Sequence, residues 1–128
     1  MYVDTSALAK LLVAEAESDA LEGWLRAHRP LLTSTVLLQT ELHRVALALQ
    51  QPRTAVEGLL QRVDLIRLSD SILAHAERVP AAPGRTLGAL DAIHLASAQH
   101  DALITLLTYD SQLTDAARYH GIEVVAPR

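Results

Sequence analysis

The sequence predicts an α/β fold, a three-layer α/β/α sandwich around a central, mainly parallel sheet, on three observations. Short apolar runs alternate along the chain with segments whose apolar residues recur at helical spacing, the order expected when helical crossovers join parallel strands. The length, 128 residues, is that of one domain, so 1–128 reads as a single unit. Hydrophobic residues make up 50% of the chain with no Phe, one Trp and three Tyr, so the interior must be aliphatic and disorder is excluded.

Each element follows from local pattern. Met1 to Asp4 is a short apolar run ending in Asp, and Thr5 and Ser6 lead into Ala7, Leu8, Leu11 and Leu12 at helical spacing. Ser18 to His28 carries Leu21, Trp24 and Leu25 on one face and ends near Pro30. Leu31 to Ser34 reads as the second strand, and Thr35 to Gln50 as a long helix with Leu38, Leu42, Val45 and Leu49 as its stripe, stopped by Pro52. Ala55 to Val63 continues helically, Leu65 to Leu68 is the expected third strand, and Ser69 or Asp70 caps a helix through Glu77. Pro80, Pro83 and Gly84 make the one clear break. A helix from about Leu87 to His100, an apolar run from Leu103 to Thr108, a helix from Ser111 to His120 and a strand from Ile122 to Val125 complete the chain.

Composition removes several classes of function. Without cysteine there are no disulfides, thiolate metal sites or thiol nucleophiles. No apolar run is long enough to span a membrane and Asp4 interrupts any signal-like start, so a cytoplasmic protein with no membrane partner is expected. Fifteen acids against eleven bases give a net charge of −4, which argues against a broad basic surface for unspecific nucleic-acid binding. The apolar surplus implies that some hydrophobic surface meets a partner, with Leu8, Leu12, Leu21 and Trp24 as one candidate patch and ordinary core packing as the equal alternative.

The chemistry lies in four acids. Val3-Asp4-Thr5-Ser6 and Thr108-Tyr109-Asp110-Ser111 each put an Asp where a strand hands over to a helix, so both carboxylates are expected at one sheet edge. Either alone reads as a helix N-cap; two at one edge repel unless a cation lies between them. Glu41 falls about 60° off the stripe of its helix at about 100° per residue, either snorkelling to Arg44 or half buried with a cationic partner. Asp91 shares a face with Leu87, Leu95 and Ala98, where a leucine is expected, unless the helix starts later and Asp91 caps it. Asp4, Glu41, Asp91 and Asp110 together form an all-oxygen set that selects a hard cation, Mg²⁺ with Mn²⁺ as a substitute, and such an ion activates water against a phosphate.

The segments Tyr2 to Leu11, Leu38 to Arg44, Leu90 to Ala96 and Thr108 to Leu113 resemble the four acidic motifs of PIN-domain ribonucleases, and in length and order the chain resembles the VapC toxins of bacterial toxin–antitoxin pairs. The resemblance spans nearly the whole chain, with Leu90-Asp91-Ala92-Ile93-His94 its most specific piece. It implies a PIN-like fold and a metal-dependent endoribonuclease that cuts single-stranded regions of a structured RNA. By position, Asp4 and Asp91 would be the principal Mg²⁺ ligands, Glu41 and Asp110 would bind through water or position the nucleophile, and Ser6 and Thr108 would support metal-bound water or the phosphate. It also implies a cognate antitoxin that plugs the pocket, often with a basic side chain, and a toxin homodimer within the hetero-oligomer.

Other residues weigh less. His94, one turn after Asp91, is open as a metal ligand or general base, but reads better as a partly buried helix histidine bonded to a neighbour, since oxygen ligands are already sufficient. Arg85 is a candidate phosphate contact or a surface arginine, and Asp115 is expected to turn to solvent. Two other classes are open on this pattern, a phosphohydrolase of another doubly wound class and a binding module with a degenerate site. The first lacks a second Asp two residues after Asp4 and any lysine beyond Lys10, and four intact acids oppose the second. Setting the four site acids apart leaves eleven acids against eleven bases, so the −4 can belong to one pocket.

Overall fold

The two residues of β1 (Tyr2–Val3) sit at the centre of a five-stranded sheet and divide the molecule into two cores. The computed structural model describes residues 1–128. In chain order β1 is followed by α1 (Thr5–Ala9), α2 (Ser18–His28), β2 (Leu32–Thr35), α3 (Leu37–Ala48), α4 (Arg53–Leu60), β3 (Val63–Ile66), α5 (Asp70–Ala76), α6 (Ala89–His100), β4 (Thr105–Leu107), α7 (Ser111–Tyr119) and β5 (Glu123–Val125). All four strand pairings are parallel and the sheet order is β3-β2-β1-β4-β5.

Side-chain alternation across the pleat explains the two cores. Val3 and Leu107 point to one face and pack with Leu8, Leu21, Leu25, Leu38 and Leu42 of α1 to α3. Tyr2 and Leu106 point to the other and pack with Leu95 and Ala98 of α6 and Leu113, Ala116 and Ala117 of α7. The expected α/β/α layers are therefore present. Leu8 and Leu21 are sealed inside the first core, with Leu12 and Trp24 partly buried against it, so this cluster is packing rather than an open patch. No helix is long and apolar enough to cross a membrane.

The topology fixes where a site can form. From β1 the chain winds outward through β2 to β3; it then returns past β1 to β4 and winds the other way to β5. The turns after β1 and β4 therefore diverge from neighbouring strands, which opens a crevice at their carboxyl ends. Asp4 and Asp110 stand in those two turns.

Candidate active site

The same local chemistry builds both turns. Asp4 is extended (φ −99°, ψ 175°), and its Oδ1 accepts from the Ala7 amide at 3.4 Å, starting α1. Asp110 starts α7 in the same way, Oδ1 accepting from the Leu113 amide at 2.8 Å. Both acids are thus N-caps, but the helix amide engages Oδ1 in each, so capping leaves the carboxylate able to take a further partner. Two hydroxyls tie the turns together. Ser6 donates to Asp4 Oδ1 at 2.8 Å and accepts the Tyr109 amide at 2.8 Å, while Thr108 Oγ1 lies 3.2 Å from Ser6 Oγ and accepts the Asp110 amide at 3.0 Å.

Helices α3 and α6 bring the other two acids. Glu41 stands in the second turn of α3, and its Oε2 accepts from Thr5 Oγ1 at 2.7 Å and from His94 Nε2 at 2.6 Å. Its partners are these, not Arg44. Helix α6 begins at Ala89, later than the sequence suggests, yet Gly88 rather than Asp91 is its cap, so Asp91 occupies the first turn free of capping duty.

The charges register one another. Burial and then the Asp110 charge push the Asp91 carboxyl up to about 6; His94 opposes this, while Asp4 and Glu41 add to it. No hydrogen-bond donor contributes at Asp91. Burial raises Asp4 above the ordinary range, against the Ser6 hydroxyl and His94. Glu41 feels burial too, but the hydrogen bond from His94, the charge of that ring whenever it is protonated, and the Thr5 hydroxyl prevail and hold it below that range. Four acids distant in sequence therefore share one electrostatic neighbourhood at the switch point of the sheet.

The PIN domain family model matches residues 1–119. Ribonuclease VapC46 of Mycobacterium tuberculosis is 40% identical over 130 residues, covering 99% of this chain and 97% of that protein. The chain belongs to the PIN-domain VapC ribonucleases. Two solved structures share the fold. The crystal structure of M. tuberculosis VapC20, a sarcin–ricin loop cleaving toxin, superposes with TM-score 0.75 at 20% identity, covering 90% of this chain and 93% of that one. A toxin–antitoxin complex from Klebsiella pneumoniae gives 0.74 at 24% identity, covering 99% and 97%.

PIN-domain ribonucleases generally use a divalent metal, and the donor set of this VapC ribonuclease suits a hard one. No three of its carboxylates and histidines are close enough to cage an ion unaided. That is compatible with Mg²⁺, which keeps several waters and needs only one or two carboxylates. An undonated carboxylate raised by burial and by its neighbours' charges is the group a cation would stabilise most.

The remaining residues sort clearly. Arg85 is exposed and its Nε lies 3.0 Å from Asp115 Oδ2, so the arginine is engaged beside the site and Asp115 is half buried rather than free in solvent. A hollow of about 420 Å³ lined by Thr108, Tyr109, Ser111 and Asp115 adjoins the second turn. Another of about 430 Å³, lined by Leu25, Arg26, Arg29, Leu32 and Arg62, holds no carboxylate and lies at the amino edge of the sheet, so size alone does not mark the site. His94 is the residue whose importance the sequence understated. It is 2% exposed and joins Glu41 to Tyr2, as a histidine on the apolar face of α6 three residues after Asp91 could have signalled.

Proposed function

We propose that this VapC ribonuclease is the toxin of a toxin–antitoxin pair, an endoribonuclease that cuts single-stranded regions of a structured RNA with Mg²⁺, Mn²⁺ being a substitute. Asp4 and Asp91 would hold the ion, and Glu41 and Asp110 would complete the site through water. The supporting observation is the Asp91 carboxylate, half buried without a hydrogen-bond donor among three other acids. Held by these residues, Mg²⁺ would supply charge neutralisation at the phosphate and a water of lowered pKa.

The chain's own groups supply position. The caps and the Ser6 and Thr108 bridge keep Asp4 and Asp110 facing one crevice. Glu41 has Oε2 occupied by Thr5 and His94, so Oε1 is the oxygen available to orient an attacking water. Arg85 reaches a phosphate only by leaving Asp115. A cognate antitoxin, in line with the toxin–antitoxin complex from K. pneumoniae of the same fold, and a toxin homodimer complete the proposed assembly. The test is cleavage of total RNA by purified protein with 5′ ends mapped. Wild type with Mg²⁺ should give discrete new ends that vanish in EDTA and in Asp4→Asn; undiminished cleavage by a folded Asp4→Asn variant would refute the proposal.

A further inference from the structure

A chain of hydrogen bonds runs from the Glu41 carboxylate into the second core, where no substrate or ion reaches. Tyr2 and His94 are 0% and 2% exposed, with their rings edge-on at 5.7 Å. Polar atoms so deep in an aliphatic core are costly unless each is matched, and an apolar pair would fill the space without that demand. The matching is directional. β1 ends at Val3, and the register of Tyr2 on Thr33 leaves the Thr35 amide opposite a chain already turning into α1. That N–H donates to the Tyr2 hydroxyl oxygen at 3.2 Å. The hydroxyl's single proton is then free for His94 Nδ1, 2.8 Å away. An ionised carboxylate only accepts, so the neutral ring carries its proton on Nε2, pointing at Glu41 Oε2 2.6 Å away, and Nδ1 accepts from Tyr2. Thr5 Oγ1 donates to that same oxygen at 2.7 Å.

We infer that Tyr2 and His94 are positioning residues of the active site: the donor chain Thr35 N–H, Tyr2 O–H, His94 Nε2–H fixes the Glu41 carboxylate by Oε2 and leaves Oε1 as its working oxygen. Anchoring one acid through a buried histidine and Tyr2 of β1 to the backbone of β2 ties its orientation to the interior of the sheet rather than to an α3 rotamer alone. The inference rests on the reading of the four acids as the active site, but the bond directions do not.

The test therefore has two arms. In metal-free protein labelled with ¹⁵N-histidine, long-range ¹H–¹⁵N spectra at neutral pH should show His94 protonated on Nε2 with Nδ1 accepting a hydrogen bond, and Tyr2→Phe should move the Nδ1 resonance toward that of an unbonded acceptor nitrogen. A proton on Nδ1 in the wild type, or an Nδ1 resonance unmoved by Tyr2→Phe, overturns the chain whether or not RNA is cleaved. In cleavage assays His94→Leu should lower kcat about 10–100-fold with KM within about twofold, the range seen when a residue behind an active-site ligand is removed. His94→Gln, whose amide can donate in place of Nε2–H, should recover to within about fivefold of wild type. On a Glu41→Gln background His94→Leu should cost almost nothing more. Losses that simply multiply, or no rescue by Gln, would assign His94 to packing alone.

Discussion

Replacing Asp91 by Asn should stabilise the metal-free protein while sharply weakening its response to metal. At neutral pH the ionised Asp91 is held against burial and the Asp110 charge, its pKa standing at about 6 instead of 3.8. At about 1.4 kcal/mol per unit, that shift sets an upper limit of about 3 kcal/mol on the destabilisation. Asn keeps the shape, forfeits no hydrogen bond and still pays part of the desolvation, so a gain of about 1–2 kcal/mol is expected. That corresponds to about 4–8 °C in Tm for a domain of this size. The sign also fixes a pH dependence. A folded-state pKa above the unfolded value means the folded chain binds the proton more readily, so the contribution of Asp91 is fully present below about pH 4 and is lost as pH rises through about 6. In EDTA the wild type should therefore gain relative to Asp91→Asn by about 1 kcal/mol between pH 7 and pH 5. Mg²⁺ at ten times its Kd should raise the wild type by about 1.4 kcal/mol and the variant by much less. Thermal melts in EDTA and in Mg²⁺ at the two pH values decide it: an Asp91→Asn variant melting at or below wild type in EDTA at pH 7 would refute the electrostatic account.

Three further outcomes are expected. Asp4→Asn should lower RNA cleavage about 100-fold or more, equivalent to the several kcal/mol an ion-holding carboxylate supports, with an unchanged circular dichroism spectrum; a loss under about tenfold would move the ion away from Asp4. Ser6→Ala strips the Asp4 donor and the acceptor of the Tyr109 amide together, so urea melts should show a loss of about 1–3 kcal/mol, and a change under about 0.5 kcal/mol would mean the two turns hold without the bridge. Arg85→Ala breaks only an exposed pair with Asp115, so stability should stay within about 0.5 kcal/mol and KM for RNA within about threefold. A tenfold rise in KM would make Arg85 a phosphate contact.

How much of this was legible in the sequence depends on the range of the interaction. Elements and acids at strand-to-helix turns are local, and the alternation that places Asp4 and Asp110 together needs only the right-handed crossover habit of parallel sheets. Errors gathered where local pattern is ambiguous. The third strand is Val63–Ile66, not Leu65–Leu68, because exposed Asp64 interrupts its apolar run at the sheet edge. Partners distant in sequence were beyond reach: Glu41 lies 53 residues from His94, and a helical wheel reports its angle but not what stands opposite. Tyr2 escaped for a related reason. A strand buried on both faces shows no polar alternation, so nothing local told Tyr2 from Val3 or marked its hydroxyl as part of the site.

Two of the four acids carry their charge against the fold. Burial raises Asp4 and Asp91, while Glu41 has enough donors to sit below its ordinary range. The molecule offsets this unevenly: Asp4 receives Ser6 and a helix amide, Asp110 a helix amide, Glu41 a hydroxyl and an imidazole, and Asp91 none. A site selected for stability alone would have given Asp91 a donor or replaced it with the leucine its helical face calls for. Leaving one carboxylate undonated, with three anchored ones around it, concentrates the unmet demand for positive charge at a single point. A cation arriving there gains more from Asp91 than from any acid already satisfied by the protein, which is why the −4 of a chain otherwise balanced at eleven against eleven is compatible with an RNA substrate.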